Sequence, residues 1–129
     1  MKIDYTINNF PKDLSKSYAL DSYTEGVLTL RINGVTLFSE DGILIVEFYE
    51  ALQDWINKNN SSDFVYESMD FEESPIIAFI NSPESNTYDF QSIWKLSDGT
   101  VSFSEIKEAF SAFRNELADE IYKRSGCKL

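Results

Sequence analysis

Histidine is absent from the chain, and cysteine occurs once, at Cys127. The first absence removes the commonest general base, the Ser/His and Cys/His nucleophile pairs and most transition-metal sites. The second excludes an intrachain disulfide and a thiolate metal cage, and Cys127 reads as an incidental exposed thiol. Three prolines and five glycines leave no material for a long flexible linker. The glycines stand where turns or helix ends need them, and no GxxxxGK[ST] or GxGxxG loop occurs to cradle a phosphate. No apolar run approaches the roughly 20 residues that span a bilayer. The start MKIDYTINNF alternates polar and apolar residues, unlike a secretory leader, so a cytoplasmic protein is expected.

What is present is core material and negative charge. Of 129 residues, 43% are hydrophobic and 15% aromatic, enough for one domain spanning residues 1–129. The net charge is -11, and all of the excess lies in one stretch. Residues 1–31 hold four acids and four bases, and residues 95–129 hold six of each. Between them, residues 32–94 carry twelve acids against the single base Lys58. Such a charge opposes direct binding to nucleic acid or to anionic membranes.

Periodicity gives the elements. Ile3, Tyr5 and Ile7 alternate with polar residues as a strand does, and residues 8–25 read as a covering loop. In GVLTLRINGVTLFSE, Asn33-Gly34 suits a type I′ hairpin turn. Closing on it opposes Ile32 to Val35, Arg31 to Thr36 and Leu30 to Leu37. From about 42 to 58, Ile43, Leu44, Val46, Phe48, Leu52, Trp55 and Ile56 recur at helical steps, with Asp41 as N-cap and Asn59-Asn60-Ser61-Ser62 as the stop. Strands are expected at 63–71, 75–81 and 87–96. PIIAFIN is apolar on both parities, as a central strand is, and Tyr88, Phe90 and Trp94 should point inward. Ser102 and Glu105 form a capping box that opens a second helix, about 102–124, stopped by Gly126. The expectation is an α+β domain: a mainly antiparallel sheet of five to six strands packed by two helices.

Paired carboxylates can bind Mg²⁺ or Ca²⁺ or hydrolyse glycosides. With 22 acids, close pairs arise by chance, and the EF-hand pattern is missing. No metal, cofactor or catalysis is expected. The acids suit protein recognition better. Glu47, Glu50 and Asp54 form a stripe at helical spacing, and DFVYESMDFEES adds Asp63, Glu67, Asp70, Glu72 and Glu73 with no base among them. The bland alternative is a solvated face that keeps a small domain soluble. Phe64 and Phe71 are expected in the core, whereas Tyr49 and Tyr66 are contact candidates, since tyrosine tolerates a half-wet site.

The hairpin VLTLRINGVTLF running into the helix GILIVEFYEALQDWINK, and the closing SDGTVSFSEIKEAFSAF, belong to a small, acidic α+β chain without active-site chemistry. In this it resembles the immunity proteins of bacterial polymorphic and contact-dependent growth-inhibition toxin systems. The resemblance implies a protein that binds a cognate toxin, a nuclease or other enzyme with a basic site, and neutralises it as a monomer or small homo-oligomer. The alternative is an acidic DNA mimic or regulatory adaptor for a basic partner outside a toxin system.

Overall fold

In the computed structural model, which describes residues 1–58, 62–68 and 71–129, the alternating start of the chain forms strand β1 (Lys2–Asn9). It pairs antiparallel with β2 (Glu25–Ile32), and β2 with β3 (Val35–Leu44). The stretch expected as a loop holds a short helix, α1 (Ala19–Tyr23), anchored by buried Ala19. At Gly26 the β1 backbone passes so close that a Cβ would overlap the Thr6 carbonyl oxygen, so only glycine fits. The Asn33-Gly34 turn has positive φ at both residues, 50° and 80°, as type I′ requires.

The register departs from the expectation beyond that turn. Ile32 faces Val35 and Arg31 faces Thr36, but Leu30 faces Phe38, because a bulge inserts Leu37. Leu37 and Phe38 are both buried as a result, which strict alternation would forbid. The bulge is set by packing on both faces of the strand.

Residues 42–44, expected to open a helix, complete β3, and helix α2 runs Ile45–Lys58. Asp41 does not cap it. Its carboxylate accepts from the Gly42 N–H at 2.8 Å and the Asn8 amide at 3.0 Å. The Ile45 N–H, first in the helix, donates instead to the Thr24 carbonyl at 2.9 Å. Of the expected stop, Asn59, Asn60 and Ser61 lie outside the described residues. Helix α3 (Phe103–Ser125) starts as anticipated: the Ser102 Oγ accepts from the Glu105 N–H, and the Glu105 carboxylate from the Ser102 N–H, both at 3.1 Å. Left-handed Gly126 ends it, donating to the Tyr122 carbonyl at 2.7 Å.

The remaining strands form a separate antiparallel sheet in the order β4 (Phe64–Tyr66), β5 (Ile77–Ser82), β6 (Thr87–Gln91) and β7 (Thr100–Val101). The architecture is therefore α+β and antiparallel, with seven strands in two sheets among the described residues rather than five to six in one. β5 is central, and Ile77, Ala78 and Phe79 are fully buried, as its two-sided apolar pattern foretold. The strands expected to reach residues 71 and 96 stop at Tyr66 and Gln91. Trp94 thus falls in a turn, its N–H donating to the Ser92 Oγ at 2.9 Å, and stands half-buried instead of pointing inward from a strand.

Helix α2 joins these parts through its aromatic residues. Phe48 packs on Tyr66 at 5.4 Å, Phe64 at 6.3 Å and Phe113 of α3 at 6.0 Å, between ring centroids. Trp55 reaches Phe79 and Tyr88 in the second sheet and Phe103 at the start of α3. Tyr5 of β1 closes on Phe113 at 5.6 Å. Each large side chain taken out of water here contributes about 2 to 3 kcal/mol.

Candidate functional site

The acidic stripe of α2 emerges on one side of this core, and each of its carboxylates meets a different neighbour. Glu47 is half-buried and accepts a hydrogen bond from the Tyr66 hydroxyl at 2.8 Å, which ties β4 to the helix. Glu50 shares a hydrogen bond with Asp21 of α1. Burial, that hydrogen bond, and the charges of Asp21, Asp54 and Glu47 push its pKa up from 4.5 to about 7. Two carboxylates in contact cannot easily both ionise, so the pair retains a proton close to neutral pH. Asp54 is exposed and lines a cleft of about 300 Å³ with Asp63, Trp55, Lys58 and Val65.

Beyond the helix the acids follow the chain into the second sheet. Asp63 accepts the Asn81 N–H at 2.7 Å, fixing the start of β4 against β5. Its charge, after burial, also helps raise the pKa of Tyr88. Glu67 is exposed and accepts the Ser74 hydroxyl at 2.7 Å. Glu72 and Glu73 are exposed and line a second cleft, of about 440 Å³, with Phe71 and Trp94. A run of contacts thus leads from Glu47 through Tyr66 and Glu67 to Ser74, beside Glu72 and Glu73. Asp70 lies outside the described residues.

Two expected contact residues belong to the core. Tyr49 is 5% exposed and stacks on Phe110 at 5.5 Å, and Tyr66 is 2% exposed. Each has a wide ring face that the helix and sheet cover, which outweighs exposure of its hydroxyl. Phe64 is buried as expected, but Phe71 is only partly so. Phe71 and Trp94 are aromatic surface that the sequence assigned to the interior. The acids beside Phe71 and the turn residues Ser97-Asp98-Gly99 after Trp94 were the available signal for such positions.

The charge pattern survives folding. The ion pairs among the described residues are Lys2 and Arg31 with Asp4, Lys95 with Asp98, Lys123 with Asp119, and Arg124 with Glu120. None of them involves an acid of residues 32–94. Among the described residues no group of three or more acids, histidines or cysteines is disposed to hold a metal ion. No described helix is long and apolar enough to cross a membrane.

Comparison with known proteins adds a family. Searches of curated proteins and of solved structures found no match. The model of the family described as Domain of unknown function (DUF7878) matches residues 3–123, and the chain belongs to that family.

Proposed function

We propose that this chain is an acidic immunity protein that binds a cognate bacterial toxin, a nuclease or other enzyme with a basic site, and neutralises it by covering that site. The observation that carries this reading is the uncompensated charge of residues 32–94, which enters no ion pair among the described residues. Like charges held on one fold repel one another, and a partner rich in Lys and Arg relieves that repulsion on binding. Glu67, Glu72 and Glu73 hold exposed carboxylates, and Asp54 and Asp63 flank a cleft beside α2. Set against a basic enzyme cleft, they occupy the positions of substrate phosphates, and inhibition needs no catalysis by the inhibitor.

Co-expression with the product of the adjacent gene is the direct test. A stable complex that relieves growth inhibition is expected, and a toxic neighbour left unbound sinks the reading. In that complex the association rate should fall at least about tenfold between low and physiological ionic strength, because complementary charge acts mainly on encounter.

A further inference from the structure

The cleft of Phe71 and Trp94 has a chemistry of its own. It lies between the loop that follows β4 and the turn that follows β6. At its edges the Ile93 N–H donates to the Pro75 carbonyl at 3.0 Å, and the Ile76 N–H to the Tyr66 carbonyl at 3.1 Å. The two rings stand edge to face, with centroids 5.1 Å apart and planes at 79°, and neither is fully buried. Glu72 and Glu73 also line this space of about 440 Å³. The neighbouring base, Lys95, is held by Asp98 at 2.6 Å and does not compensate these charges.

Carboxylates alone would form a solvated rim. Open aromatic rings behind them change the selection, because a ring face attracts a cation that has shed part of its water. A guanidinium suits this combination better than an ammonium: it is planar, weakly hydrated, stacks on aromatic rings and pairs with a carboxylate through two parallel hydrogen bonds. We propose that this cleft receives an arginine side chain of a protein partner. That the partner is a toxin rests on the function proposed above; the preference for a guanidinium rests on the cleft alone.

The chain has two tryptophans, so its indole N–H signals in a ¹⁵N spectrum are two, and Trp94→Phe identifies one of them. The probe is the peptide acetyl-Gly-Arg-Gly-Arg-Gly-amide, with its citrulline counterpart as the neutral control. The arginine peptide should move the Trp94 signal saturably and leave Trp55 in place, while the citrulline peptide moves neither. The double variant Glu72→Gln/Glu73→Gln, both positions exposed, should weaken binding about fivefold or more. A Trp94 signal that stays still, responds equally to citrulline or titrates unchanged in the double variant overturns the proposal. The two readings fail separately. A toxin complex as tight with the double variant as with the natural chain removes the cleft and keeps the function; a saturable arginine response without a toxic neighbour does the reverse.

Discussion

Helices α2 and α3 share one aromatic core and treat charge in opposite ways. The longer one, α3, is stabilised by its own sequence: a capping box at Ser102, a glycine stop at Gly126, and the pairs Asp119 with Lys123 and Glu120 with Arg124, each at 2.8 Å one turn apart. Asp119 and Glu120 are matched by bases that also suit the negative end of the helix dipole. Among the described residues α2 enters no ion pair through its acidic stripe. Its first N–H is satisfied by the Thr24 carbonyl, Glu47 is held by Tyr66 and Glu50 by Asp21, all from elsewhere in the chain. A helix secured by its neighbours can carry uncompensated charge outward; a helix that secures itself uses its charges locally.

The sharpest way to break this comparison is to ask whether the two helices depend on the same core. Phe48→Ala and Phe113→Ala should each cost about 3 to 5 kcal/mol in chemical denaturation, since both side chains are fully buried and touch one another. A loss below about 1 kcal/mol at Phe113 would make α3 an appendage instead of a partner. The caps come next. Ser102→Ala should cost about 1 kcal/mol, and Asp41→Ala, which removes only exposed bonds to Asn8 and Gly42, no more than about 0.5 kcal/mol. Equal losses would mean that α2 relies on a side-chain cap after all.

The smallest effect is a titration. Glu50 holds its proton in the native state up to about pH 7, whereas in the unfolded chain it releases it near the ordinary 4.5. The folded form therefore binds more protons between those values, and stability should decline as pH rises from 4.5 to about 7. Asp21 of α1, with Glu47 and Asp54 on α2 itself, supplies the opposing charge. Glu50→Gln should flatten that decline and, because the group is only half-buried and partly screened by solvent, stabilise the protein above it by less than about 1 kcal/mol. An unchanged pH profile would show that the contact between α1 and α2 does not depend on a shared proton.

Elements with local signals were legible in the sequence. The capping box and stop of α3, the Asn33-Gly34 turn and the two-sided apolar run of β5 depend on residues next to one another. What lay between them was harder. The helix pattern of Ile43 and Leu44 was real as periodicity, yet the pairing of Gly26 with Ile43 and of Glu25 with Leu44 keeps both residues in β3. Leu37 slips the hairpin register because both faces of β3 need an apolar residue there. Tyr49 and Tyr66 suited either a surface or a core, and the neighbours that decided for the core, Phe110 and Phe48, come from other elements.

The sequence by itself determined where charge accumulates. Composition sets the imbalance of residues 32–94, and folding creates no new charges to cancel it. It also determined the start and end of α3, since capping is short-range chemistry. Only the tertiary structure decided that the strands form two sheets, that Glu50 meets Asp21, and that Phe71 stands beside Trp94 over two glutamates. Those contacts join segments far apart in the chain, where the gain from packing a whole core overrides the preference of any single residue.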